Sequence, residues 1–316
     1  MNAPSAAPDL RPLGIGEVLD RAVTLCVRLF VPLALVYAAY AIPFGILSLY
    51  ANGEYLHALA TIGDVLQTNR AHRTPADIGS VLAHTHFGPQ YPLLVLASLA
   101  IFPLVQGALI EMLSAGYLGR ATSFAQAYRT GLARWLPLVG INLIFLVIGV
   151  AIYVVVVIVF ALVAFAVVAI ARPSPALGIG VGGIVGTAIV FAALAFATLA
   201  VLTLYMAYFT CVIEREPAVA SFTRAVRRTR SIRLRRALLF GFAFVAIVFG
   251  ITIVSFAGTA LLAGVLHSDV ANAAYSIVLS VVSAIFSTAV LCVFYFDVRV
   301  REEGLDLQMA ARDVER

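Results

Sequence analysis

Seven arginines, Arg224, Arg227, Arg228, Arg230, Arg233, Arg235 and Arg236, crowd into one short stretch between two long apolar runs. Guanidinium groups are planar, permanently charged donors that pair bidentately with phosphate. A polybasic segment beside an anionic leaflet gains about 1 kcal/mol per residue. The chemistry this spacing supports is capture of anionic headgroups, with Arg224, Arg227, Arg228, Arg230 and Arg233 as candidate ligands. On a helix the stretch keeps Phe222, Ala225, Val226, Thr229 and Ile232 as an apolar strip. With Arg215 the segment holds more cations than orientation in a membrane requires.

Other residue patterns point to other chemistries. Glu111 is the one carboxylate inside an apolar run, and an intramembrane acid is expensive enough to suggest a role in a pathway or an ion pair; Arg120 and Arg21 are its candidate partners. Asp297, followed by Arg299 and Arg301, reads as an ion pair of Asp297 with Arg299 at a helix end. His84 and His86, two apart in a polar segment, are weak candidate metal ligands, and no metal or other cofactor is expected. Gly178-x-Gly180-x-x-Gly183 has the letters of a dinucleotide fingerprint but lacks the preceding strand and the later acid. The overlapping Gly178-x-x-x-Gly182-x-x-x-Gly186 reads better as a close helix-packing face. The chain has no lysine, which excludes a Walker loop of the usual form. Cys26, Cys211 and Cys292 are too scattered for a disulfide framework or a metal cluster. No nucleophile, base and orienting group converge, so an enzyme is not expected. Nucleic-acid binding is not expected either, because the arginines lie within a turn or two of the apolar runs and no aromatic residues interleave them.

The elements that position these residues follow from composition. Apolar residues make up 62% of the 316, charged residues 12%, and the mean hydropathy is +1.03. A soluble domain is nearer half apolar and a quarter charged. Runs of more than about 18 uncharged residues can cross a hydrocarbon core, where only helices or closed barrels satisfy the backbone. The runs lack a two-residue polar period, so the expected fold is an all-α polytopic integral membrane protein. Six spans are expected, 31–51, 92–117, 137–170, 178–212, 238–266 and 274–296. The third and fourth are too long for a perpendicular crossing, so they must tilt, kink or project beyond the bilayer.

All 21 cationic residues are arginine, and this alternation places 18 of them on one side. Arg70, Arg73 and Arg172 are the exceptions. By the positive-inside rule both termini face the cytoplasm of a plasma membrane. No cleavable signal is expected; residues 1–12 read as a disordered cytoplasmic tail, 13–298 as the membrane domain, 52–91 as an external loop and 299–316 as a cytoplasmic tail. Abundant alanine and arginine without lysine also suggest a high-GC bacterial genome.

A unit recurs. Ser123-Phe124-Ala125-Gln126-Ala127-Tyr128-Arg129 and Ser221-Phe222-Thr223-Arg224-Ala225-Val226-Arg227 share Ser-Phe-x-x-Ala-x-Arg at an offset of 98 residues. Each precedes a pair of spans. Ile15 to Phe30 occupies the same place before the first pair, with apolar Ile15, Val18, Leu19, Ala22, Val23, Cys26, Leu29 and Phe30 on one helical face. Such helices lie among the headgroups, apolar face down. The expected architecture is three repeats of one interfacial amphipathic helix and one helical hairpin.

Arg11 to Asp20, Glu214-Arg215-Glu216-Pro217 with Ala225 to Leu239, and Tyr295 to Leu307 together resemble the ends and central loop of a bacterial membrane family, the glycerophosphoryl diester phosphodiesterase membrane-domain-like family. The resemblance covers about residues 11 to 308. It implies a membrane-embedded fold; the catalytic phosphodiesterase barrel fused to some of its members has no counterpart in this sequence, so no catalytic residue maps onto it. Two functional classes are then expected. One is a non-enzymatic scaffold that grips the lipid bilayer through anionic phospholipids, with a possible membrane protein partner. The other is a transporter-type subunit for a lipid or small solute, with Glu111 in the pathway.

Overall fold

The structure, a computed structural model, describes residues 11–68, 90–171, 175–232, 234–266 and 269–304. It is about 92% helical, with no strand among the described residues. The helices are α1 (Ile15–Thr68), α2 (Gln90–Tyr117), α3 (Phe124–Ala133), α4 (Trp135–Ala171), α5 (Pro175–Ile213), α6 (Ala218–Ser231), α7 (Leu234–Leu266) and α8 (Asp269–Glu303). Six of them contain stretches long and apolar enough to cross a membrane: Ile15–Leu47, Leu96–Tyr117, Trp135–Val163, Gly182–Ile213, Arg235–Thr259 and Val270–Glu303. The chain is an all-helical, multi-pass membrane protein.

α8 is the hub. Ala289 to Phe296 are all buried in succession, and a helix apolar on every side belongs at a centre. α1, α2, α5 and α7 surround it. Phe240 of α7 stacks on Phe294 at 3.7 Å, Phe209 of α5 on Tyr295 at 5.1 Å, and Tyr117 of α2 on Phe296 at 4.9 Å. α4 lies outside this ring, against α5 and α2.

α4 and α5, at 37 and 39 residues, are far longer than a hydrocarbon core about 30 Å thick needs at about 1.5 Å per residue. Leu138 and Ile141 at the start of α4, and Leu202, Met206 to Phe209, Cys211 and Val212 at the end of α5, are buried. Val147, Tyr153 and Leu162 of α4, and Ile184, Phe191 and Phe196 of α5, are exposed. Protein therefore covers both helices at the arginine-rich end, and the exposed apolar lengths form the lipid-facing band.

The short helices do the sheathing. α3 packs on α2, and α6 packs on α5 and α4. In both copies of the repeat the shared alanine, Ala127 or Ala225, is fully buried, and the shared arginine, Arg129 or Arg227, is exposed. α3 is held especially close: a Cβ on Gly131 would lie 2.5 Å from the Leu104 carbonyl oxygen and 3.1 Å from the Ala108 nitrogen. Only a residue without a side chain permits such backbone contact. The Ser123 hydroxyl caps α3 by accepting from the Gln126 N–H at 3.2 Å.

The first repeat departs from expectation. The segment 15–30 and the span 31–51 are not two elements, because α1 runs unbroken for 54 residues and continues to Thr68, into the stretch 52–91 read as a loop. Pro32 and Pro43 lie inside it. A proline removes one ladder hydrogen bond and ordinarily breaks a helix in water, but inside a bundle neighbouring groups can compensate. Beside Pro103 in α2 the Trp135 indole donates to the Ala100 carbonyl at 2.6 Å; Tyr128 of α3 donates to the Val36 carbonyl at 2.7 Å and ties α3 to α1 between its two prolines.

Two further boundaries shift. Arg11, placed in the tail 1–12, pairs with Glu17 at 2.7 Å; residues 1–10 lie outside the described residues. α8 continues past 296 and 298 to Glu303, so part of the supposed tail 299–316 is helix, and 305–316 lie outside the described residues. On the expected packing face of α5, Gly186 stands open: a Cβ there would meet nothing within 4 Å among the described residues.

Candidate functional site

The arginine-rich end is organised around the reversal between α5 and α6. Pro217 precedes the first turn of α6, and Arg215 takes the left-handed conformation at φ 59°, uncommon for a residue with a side chain. The turn lays α6 back along α5. Glu214, at the corner, accepts from Arg228 Nη1 at 2.6 Å, Arg224 Nη1 at 2.6 Å and the Tyr295 hydroxyl at 2.5 Å.

Arg228 is the hinge of this arrangement. Its side chain is 4% exposed, and it also donates to Thr210 Oγ1 at 2.9 Å and through Nε to Glu303 at 3.1 Å. Arg299 joins from α8, donating to Glu303 at 2.8 Å and lying 3.8 Å from Glu214. Arg224 makes a further ion pair with Glu216. Three arginines and three glutamates thus neutralise one another and tie α5, α6 and α8 together.

Burial works to raise the Glu214 carboxyl, but the hydrogen bonds from Arg228, Tyr295 and Arg224 outweigh it and hold its pKa below the ordinary 4.5. For Arg228, burial acts to lower the pKa and the hydrogen bonds to Glu214 and Glu303 more than reverse it. A carboxylate whose pKa is depressed by folding adds stability that is present above its unfolded value and lost as pH falls through the folded one. Thermal unfolding should therefore be insensitive to Glu214 from neutrality to about pH 4.5. Below that the melting temperature should fall. In Glu214→Gln it should start lower and fall less steeply, which melting curves between pH 7 and pH 3 will measure.

A second cluster fixes the start of the chain. Asp297, 1% exposed, accepts from the Leu13 N–H at 2.7 Å, Arg236 Nη2 at 2.5 Å and Arg301 Nε at 3.1 Å. Arg236 and Arg301 also donate to the Leu13 carbonyl at 2.9 and 2.8 Å. The expected pairing of Asp297 with Arg299 is not formed. Residues two apart on a helix do not face each other, whereas residues four apart do. Asp297 therefore meets Arg301, and Arg299 meets Glu303.

The five candidate lipid ligands separate. Arg228 is buried in the network and Arg224 is paired to Glu214 and Glu216, so Arg228 is not available to a headgroup. Arg227 and Arg230 are exposed, with no ion pair or hydrogen bond to their side chains among the described residues. Arg233 lies outside the described residues, as do His84 and His86. Glu111 is half-buried and, among the described residues, pairs with neither Arg21 nor Arg120. No group of metal-ligating side chains occurs among the described residues. All three cysteines are free and buried. Glu214, Glu303, Thr210 and Tyr295 are the site residues the arginine count did not single out.

Between α5 and α6 a cavity of about 330 Å³ is lined by Leu199, Thr203, Val226, Thr229, Arg230 and Ile232. A smaller polar recess lies between Glu216, Ala220, Thr223, Arg224 and Arg227.

No family model, no curated protein and no solved structure matches the chain.

Proposed function

We propose that this is a non-enzymatic protein of the bacterial plasma membrane that binds anionic phospholipid headgroups through the outward face of α6, serving as a membrane scaffold or as the partner of a separate enzyme. The distribution of charge supports a cytoplasmic position for the arginine-rich end and both termini. One observation carries the reading: α6 divides its arginines, turning Arg228 into the protein and leaving Arg227 and Arg230 exposed without a protein partner among the described residues. Guanidinium groups in that position gain from an anionic leaflet.

The test is the lipid composition around the protein extracted in native bilayer discs. Phosphatidylglycerol should be enriched over phosphatidylethanolamine relative to the bulk membrane. Arg227→Ala with Arg230→Ala should weaken phosphatidylglycerol binding by roughly 30-fold, at about 1 kcal/mol per arginine. Arg228 is unsuitable for this pair, because its loss would disturb folding. Glu111→Gln should change nothing. If Glu111→Gln abolishes function in cells while the arginine pair is silent, the transporter reading replaces this one, since Glu111 is a half-buried carboxylate without a partner among the described residues.

A further inference from the structure

We infer that the cavity between α5 and α6 is a discrete site for one glycerophospholipid, its phosphate held by Arg230 and its glycerol and proximal acyl chain by Leu199, Val226 and Ile232. This inference rests on the headgroup-binding reading and makes it specific: one lipid in one place, in addition to a diffuse attraction.

The two sides of the cavity differ in chemistry. Arg230 supplies an exposed guanidinium with no protein partner among the described residues. Beside it are two hydroxyls: Thr203 Oγ1 lies 3.2 Å from Thr229 Oγ1 and donates its hydrogen to the Leu199 carbonyl at 2.7 Å. A threonine has one hydroxyl hydrogen, so Thr203 has spent its own and can only accept. The Thr203–Thr229 contact therefore takes the Thr229 hydrogen, and Arg230 is the donor the cavity offers to a phosphate oxygen. Leu199, Val226 and Ile232 form the apolar side.

Size and place select the occupant. A volume of about 330 Å³ is at the small end of ligand pockets, enough for a headgroup and glycerol but not for two acyl chains. The chains have somewhere to go. One turn up α5 from Leu199, Phe196 is 48% exposed, and Phe191 and Ile184 continue the exposed apolar surface of the helix. Leu202 and Met206, on the other side of Leu199, are buried. The cavity thus lies where α5 passes from protein cover into the lipid-facing band, the depth at which a phospholipid changes from phosphate to hydrocarbon. A free anion would use Arg230 but leave the apolar wall unfilled.

The experiment is native mass spectrometry of the full chain, delipidated in detergent and titrated with phosphatidylglycerol, with inorganic phosphate as a second arm. Wild type should retain one lipid through delipidation. Thr203→Leu, which fills the cavity without changing charge, should lose it. Arg230→Gln, a surface change that leaves folding intact, should weaken it by at least about tenfold, as expected for one charge-assisted hydrogen bond. Arg227→Gln should keep the retained lipid while lowering the general enrichment. A lipid retained equally by Thr203→Leu and Arg230→Gln overturns the site while leaving the headgroup reading standing. Equal stabilisation of the protein by inorganic phosphate alone overturns the lipid assignment. Absence of any phosphatidylglycerol preference in wild type removes both.

Discussion

Arg228→Ala should destabilise the folded protein by about 3–5 kcal/mol, the range for removing one partner of a buried ion pair. The cost comes from what is left behind. Glu214 would keep Arg224 and Tyr295, Glu303 would lose one of its two guanidinium partners among the described residues, and Thr210, fully buried, would lose its donor. Uncompensated polar groups in low dielectric are the expensive outcome, more so than the loss of attraction itself. Arg224 is the control. It pairs with the same Glu214, but its side chain is 44% exposed, so Arg224→Ala should change stability by no more than about 1 kcal/mol. Thermal unfolding in detergent will separate the two variants. A further check separates charge from shape: Arg228→Met and Arg299→Met combined with Glu214→Gln and Glu303→Gln should recover much of the loss, because replacing the buried ionic groups together is often close to neutral. If this quadruple variant is no better than Arg228→Ala, the network matters for shape rather than for charge.

The same residue shows where sequence reasoning stops. Arg227 and Arg228 are adjacent and chemically identical, yet about 100° of helix rotation separates their directions. Which of them turns inward is decided by Glu214 and Glu303, which arrive from the end of α5 and the end of α8. Nothing in the local pattern of α6 announces those partners. The inward face was partly legible, since the shared Ser-Phe-x-x-Ala-x-Arg places Ala127 and Ala225 against the bundle and Arg129 and Arg227 away from it. Arg228 stands where the first copy has Thr130, and this difference between repeats was the available signal.

The six spans were legible because burial in hydrocarbon is written in composition. α1 was not, because its continuity depends on Pro32 and Pro43 being tolerated in a packed bundle, a property of neighbours and not of the segment. Asp297 and Arg299 failed for a simpler reason. Nearness in sequence stood in for helical geometry, although the four-residue rule already matched Asp297 with Arg301 and Arg299 with Glu303.

Asp297→Ala should release the start of the chain and destabilise the protein by about 3–5 kcal/mol. Asp297 lies within the hub helix at 1% exposure, and two arginines converge on it. Its removal would leave those cations sharing, among the described residues, the Leu13 carbonyl alone, and the Leu13 N–H, in a residue itself 1% exposed, would have lost its acceptor. Hydrogen exchange should therefore rise first at Leu13 and the opening turn of α1, ahead of any change in α3 or α6. Asp297→Asn separates charge from geometry, since an amide oxygen can still accept from Leu13 but cannot neutralise Arg236; protection at Leu13 should survive while the melting temperature falls. The exposed pair Arg11–Glu17 gives the comparison: its side chains are 53% and 44% exposed, and Arg11→Ala should change stability by no more than about 1 kcal/mol. If Asp297→Ala leaves exchange at Leu13 unchanged, the apolar contacts of Leu13 hold the strap, and the buried carboxylate serves only to bring Arg236 of α7 against α8.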